Sequence, residues 1–255
     1  MKIKMRGLRD FKVPDFKFPK FKMKDISEIE EMNINYDEIE KNKDKKKDKK
    51  EFVATNYNSI KEIFEHSIKT YANKEFILEK FDPKGKYEEI SYEQFGKDVI
   101  GFGTALNRVL KLENRPRIMI LSETTYDWYV SYVTLLCGDA IAIPTDKELP
   151  ENELENVVKR SKADAVKKIM EKFPQVKYFI KMYSEDGLQN KTVGMQYLIN
   201  EGTKFVNSGD DYFAKVETDP DEFKVLLFTS GTTSNAKGVM LTSRNLAENI
   251  NAATA

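Results

Sequence analysis

One cysteine, one histidine and one tryptophan stand among 255 residues. Cys137 has no partner for an intrachain disulfide, and Cys137 with His66 cannot complete a tetrahedral metal site, so a disulfide framework and structural zinc are both excluded. No run of 18 uninterrupted apolar residues occurs, which excludes a spanning helix. The first 24 residues place a charge among every few apolar ones, which excludes a signal-peptide core, and the expected compartment is the cytosol. With 12 Gly and 8 Pro the chain is far from a collagenous composition. Excess charge of either sign is absent too: 42 basic residues balance 42 acidic ones, so nothing draws the whole chain toward nucleic acid, and no nucleic-acid partner is expected. What is present is 40 % hydrophobic residues with 16 Phe and 12 Tyr, enough for one or two ordinary cores.

The charges are blocked along the chain. Residues 1–24 carry a net +7, residues 25–40 a net −7 and residues 41–50 a net +5. The run KNKDKKKDKKE from Lys41 repels itself and has nothing apolar to bury, so it reads as a solvated linker. Residues 1–57 are therefore expected to be a charged extension and linker, and residues 58–255 the folded domain. Within the extension, Phe11, Phe16, Phe18 and Phe21 alternate with Lys12, Lys17, Lys20 and Lys22 around Pro14 and Pro19. That pattern suits an edge strand, a solvated tail or an extended arm on an anionic membrane, where about 1 kcal/mol per basic residue sets an upper bound of ~7 kcal/mol.

From Asn58 onward helices and strands alternate. Ile60, Ile63, Phe64 and Tyr71 fall at helical spacing behind Asn58 or Ser59 as cap. FILEKF and YEEISY flank the turn DPKG as a hairpin, and Ser91 with Gln94 forms a capping box that opens a helix toward Leu110. The apolar strand RIMIL (117–121) follows, then a helix from Thr124 to Leu136, the strand AIAIP (140–144) and the polar helix ELPENELENVVKRS. The weak stretch ADAV, a short helix, and the strands VKYFIKM (176–182) and KVLLFTS (224–230) complete the pattern. Short apolar strands between helices predict an α/β fold, a mostly parallel sheet covered by helices on both faces.

The last strand runs into Thr229-Ser230-Gly231-Thr232-Thr233-Ser234-Asn235-Ala236-Lys237-Gly238. Hydroxyls and free N–H groups donate to phosphate oxygens, glycine admits close backbone approach, and lysine adds a point charge, so this stretch reads as a polyphosphate cradle. Its place at the carboxyl end of a strand is where open α/β sheets bind ligands. A Walker loop is excluded because Ala236 and Gly238 flank the lysine. Gly101-Phe102-Gly103 fails as a dinucleotide fingerprint at Leu106 and reads instead as a close-packed helix. His66 lies off the apolar face of its helix, Cys137 reads as a small core residue, Trp128 with its neighbouring tyrosines as core, and Glu151, Glu153 and Glu155 as solvated acids at a helix start.

LLFTSGTTSNAKG resembles the phosphate-loop signature of the adenylate-forming (AMP-binding) superfamily, and ISYEQF and LLCGDAIAIPTDKELP are similar to its two earlier core motifs. The segment YDWYVSYVTLLCG, followed by PTDKELP, resembles bacterial AMP-forming fatty-acyl-CoA synthetases most closely. The resemblance implies the first part of that family's large N-terminal domain and a two-step reaction. A carboxylate such as a fatty acid attacks the α-phosphate of MgATP to give acyl-AMP and pyrophosphate, and a thiol, usually of coenzyme A or else of a carrier protein, displaces AMP. Carried over, Ser230, Gly231, Thr232, Thr233, Ser234, Lys237 and Gly238 hold the β- and γ-phosphates, with Thr229 as a Mg2+ contact. None of these is an acid or a base, so no catalytic residue is expected in this chain. The resemblance also implies further segments carrying the acyl and adenine pockets. Ala163-Asp164-Ala165-Val166 falls short of the family's apolar strand, and Ser243 stands where a histidine is more frequent. The chain thus resembles the N-terminal portion of a ligase, incomplete and inactive alone, with an inactive nucleotide-binding module, or an adenylation domain of the acyl-carrier-protein or peptide-synthetase type, as the alternatives.

Overall fold

The protein is described here by a computed structural model, which defines residues 56–81, 84–161, 176–229 and 237–254. The arm at 11–22, the lysine-rich linker, ADAV with its short helix, and Ser230–Ala236 lie outside the described residues.

Helix α1 (Ile60–Thr70) starts at Ser59, whose Oγ accepts the Glu62 N–H at 3.2 Å. Strands β1 (Glu75–Glu79) and β2 (Glu88–Ser91) form the expected antiparallel hairpin. Helix α2 (Tyr92–Arg108) follows at once, with Ser91 Oγ accepting the Gln94 N–H at 3.1 Å. The capping box is half made, because the Gln94 side chain turns away and donates to Asp98 Oδ1 at 2.9 Å. Gly101 and Gly103 let other elements approach α2: a Cβ on Gly202 would lie 1.8 Å from the Gly101 carbonyl oxygen, and one on Gly103 would lie 2.1 Å from the Phe213 ring. The glycine pair is therefore a packing device.

The main sheet has four strands in the order β3-β4-β7-β8, formed by β3 (Arg117–Leu121), β4 (Ile141–Thr145), β7 (Phe223–Thr229) and β8 (Lys237–Thr242). The first three run parallel and β8 returns antiparallel to β7. Strand alternation sends Ile118, Ile120, Ala142 and Val225 into a core shared with α1, α2, α3 (Tyr126–Cys137) and α5 (Met195–Asn207). Met119, Ile143 and Leu226 face the other way, onto Leu154, Val157 and Val158 of α4 (Glu151–Ser161). Burial on both faces explains why these strands read as unbroken apolar runs.

The segment at 176–182 differs from the expectation. Only β5 (Phe179–Lys181) is extended, and it pairs in parallel with β6 (Thr192–Gly194) in a separate two-stranded sheet. A buried carboxylate ties this part to the core: Asp127, in the first turn of α3, accepts the Tyr183 N–H at 2.7 Å and Gln196 Nε2 at 3.3 Å. Burial raises the Asp127 pKa above the ordinary carboxylate range. Two further helices, α6 (Tyr212–Lys215) and α7 (Ser243–Thr254), complete the described chain. None of its described helices is long and apolar enough to cross a membrane.

Candidate functional site

Strands β3, β4 and β7 end at Leu121, Thr145 and Thr229, so their carboxyl ends share one edge of the sheet. The polyphosphate-like stretch begins at that edge. β7 pairs with β8 from Phe223↔Thr242 at the base to Thr229↔Lys237 at the tip, with a register shift after Phe223. Residues 230–236 therefore connect two strand ends whose facing Cβ atoms lie about 5 Å apart. Of the expected phosphate contacts, the structure brings Thr229, Lys237 and Gly238 together, all exposed. Ser230, Gly231, Thr232, Thr233 and Ser234 lie outside the described residues. Thr229 Oγ1 donates to the Lys237 carbonyl oxygen at 3.4 Å, a long bond that leaves the hydroxyl oxygen able to accept or to ligate. Gly238 is pinned on one side, since a Cβ there would meet Leu226 Cδ1 at 3.1 Å.

The base of the hairpin is tied on two sides. Arg244 forks onto Asp221 at 2.6 and 2.9 Å and its N–H donates to Pro220 O, which joins the first turn of α7 to the entry of β7. The guanidinium lowers the Asp221 pKa. Thr242 and Asn245 cap α7 reciprocally, each side chain accepting the other's N–H at 3.1 Å. Ser243, where the resemblance favours histidine, is buried, and its Oγ accepts the Ile60 N–H at 2.9 Å. In this chain that position supports the start of α1.

Sequence reasoning passed over two buried charges. Lys224 sits 2 % exposed at the start of β7 and donates to the Gly138 carbonyl, and burial depresses its pKa to about 8 despite the Asp139 and Glu222 carboxylates. A lysine heading an apolar strand was the available signal. Asp127 is the other, inside an aromatic-rich helix. Neither lies at the loop end of the hairpin. Cys137 is fully buried, its thiol pushed up to about 12 by desolvation, so its place is in the core. His66 is exposed and accepts or donates at Nδ1 with the Tyr57 hydroxyl at 2.6 Å. Glu151 and Glu153 are exposed in the first turn of α4, where the helix dipole favours them. Among the described residues there is no group of three His, Cys, Asp or Glu side chains arranged to hold a metal.

A mostly parallel sheet packed on both faces, with the carboxyl ends of β3, β4 and β7 along one edge, defines an α/β domain of the kind that places ligands at that edge. The profile described as "AMP-binding enzyme" matches residues 64–255, and the chain belongs to that family. It is 24 % identical over 221 residues to the chloroplastic long-chain-fatty-acid acyl-carrier-protein ligase of Arabidopsis thaliana, covering 77 % of this chain and 30 % of that protein. It is 29 % identical over 179 residues to fatty acyl-CoA synthetase A of Dictyostelium discoideum, covering 66 % and 26 % respectively. The fatty acyl-adenylate ligase of L. pneumophila, solved with acyl adenylate and pyrophosphate, shares the fold with a TM-score of 0.56 at 17 % identity, over 76 % of this chain and 32 % of that one. The chain thus spans between about a quarter and a third of the length of these three proteins.

Proposed function

We propose that this chain supplies the ATP-phosphate-binding part of an adenylate-forming ligase that joins a fatty acid to AMP and then to coenzyme A. The observation that carries the reading is the hairpin register, which sets Thr229 and Lys237 side by side at the carboxyl edge of the sheet, at both ends of the loop Ser230–Ala236. Lys237 neutralises phosphate charge, the loop hydroxyls and N–H groups donate to the β- and γ-oxygens, and Gly238 keeps the backbone low. Thr229 offers a hard oxygen of the kind Mg2+ prefers, and an ion bound mainly by the phosphates needs few protein ligands. Mg2+, when bound, would offset the charge of the departing pyrophosphate. These groups orient and neutralise, and none of them moves a proton.

Coenzyme A is the acceptor in this reading. The Arabidopsis relative, named for an acyl-carrier protein, favours a carrier-bound thiol as the second one. The location that goes with it is the cytoplasm, with peripheral contact to anionic membrane through residues 11–22. The proposal is tested by titrating MgATP into the 255-residue chain and then following fatty-acid-dependent pyrophosphate release from the same preparation. Binding of MgATP without steady release is expected, because a chain that covers at most 30 % of the length of its curated relatives carries a part of their machinery. Steady release above a Lys237→Ala control would overturn the view that the chain alone is inactive, and no MgATP binding would overturn the proposal.

A further inference from the structure

An open groove of about 570 Å3 lies between the β1–β2 hairpin, α2, the start of α3 and the segment after β5, lined among others by Phe81, Ile90, Asp98, Tyr126, Tyr183 and Glu185. Its size falls in the range of ligand-binding clefts. Phe81 and Tyr183 are each 46 % exposed and meet edge to face with ring centroids 6.2 Å apart. Two such rings left open to water present π-faces that attract cations. The Asp98 carboxylate is fixed, accepting the Tyr126 hydroxyl at 2.6 Å on one oxygen and Gln94 at 2.9 Å on the other, so each oxygen keeps a lone pair for a further donor. Glu79 holds the other end of Tyr126 by accepting its N–H at 2.7 Å, and it stands directly across the hairpin from Glu88, a like-charge pair that costs stability. No described residue lining the groove is basic.

We infer that this groove docks a basic segment of a partner polypeptide that carries aromatic side chains, its lysine or arginine groups set against Asp98 and Glu185 and stacked on Phe81 and Tyr183. A cation there would meet the free lone pairs of Asp98, whose nearest cation is its chain neighbour Lys97, together with Glu185, and would cover the exposed rings. The room available, with an apolar floor at Ile90, takes several side chains of a peptide at once.

The test is fluorescence anisotropy of a labelled twelve-residue peptide alternating Phe and Lys, titrated with the full 255-residue chain, beside a control alternating Phe and Glu. The Phe/Lys peptide is expected to bind, and at least tenfold more weakly to Glu185→Lys and to Tyr183→Ala, both surface changes whose folding is checked by circular dichroism. Asp98→Asn, which keeps a hydrogen-bonding side chain and removes the charge, is expected to weaken binding in the same direction. Failure of the peptide to bind, equal binding of both peptides, or unchanged affinity in all three variants would overturn the inference. Complete displacement by millimolar tetramethylammonium would overturn it in favour of a free small cation. A dimer of the unliganded chain that Glu185→Lys dissolves would overturn it in favour of a second copy.

Discussion

Lys237 is the single cation in the ten residues from Thr229 to Gly238, and it sits at the first position of β8, where the ladder to Thr229 fixes its backbone. A charge-assisted contact to phosphate contributes about 1.5 to 3 kcal/mol, so Lys237→Ala is expected to weaken MgATP binding by roughly 10- to 100-fold. Asn235→Ala is expected to change it little, because the phosphate pattern leaves that position open; isothermal calorimetry of the two variants separates the roles. Lys224 gives the second prediction at this scale. Its ammonium titrates near 10.5 when unfolded and at about 8 in the fold, so between those pH values the unfolded state binds more protons and this group's contribution to stability rises with pH. Below pH 8 both states are protonated and the slope vanishes. The gap corresponds to about 3 kcal/mol. Urea unfolding at pH 8, 9 and 10 should therefore show the wild type gaining stability relative to Lys224→Met across that interval, and parallel pH dependences would contradict the assignment.

At the scale of elements, the crossing of α2 and α5 depends on Gly202, and Gly202→Ala drives a methyl group into the Gly101 carbonyl. Backbone cannot yield as a flexible side chain does, so a loss of at least about 1 to 3 kcal/mol, read as a lowered thermal midpoint, is expected. The N-terminal arm yields another prediction: deleting residues 1–50 should abolish salt-sensitive sedimentation with anionic vesicles while leaving the α/β part folded, and equal sedimentation of both forms would remove the membrane role. Elements with a strong local signal were legible from the sequence. RIMIL is β3 to the residue, the antiparallel β1–β2 pair and the Ser91 cap are present, and AIAIP lies one residue from β4, while Asp82 and Pro83 of the expected turn lie outside the described residues. Elements whose cause is tertiary were not. β6 has three residues, too few for a period to show, and β5 keeps only three of the seven residues expected at 176–182. α5 buries Met195, Leu198, Ile199 and Gly202 at helical spacing, yet the glycine weakens its propensity signal. β8 is exposed over its first four residues, so it carries no burial pattern, and only pairing with β7 makes it a strand. The stretch from Thr229 to Gly238 stands out in the sequence by its residue types; the antiparallel return that brings Lys237 back beside Thr229 does not.

For the molecule as a whole, the sheet does two separate jobs. Its buried strands β3, β4 and β7 align three carboxyl ends, and Arg244 ties the base of the β7–β8 pair to α7. In the proposed reading, a domain built this way would recognise phosphate by position and charge and leave the identity of the carboxylate to other segments. The central claim is that the stretch from Thr229 to Gly238 binds the β- and γ-phosphates of ATP. Amide hydrogen exchange of the 255-residue chain, with and without saturating MgATP, measures it most directly. The account predicts new protection confined to this stretch, lost in Lys237→Ala and retained in Asn235→Ala. Unchanged exchange there, or protection that appears only in another part of the chain, would contradict it.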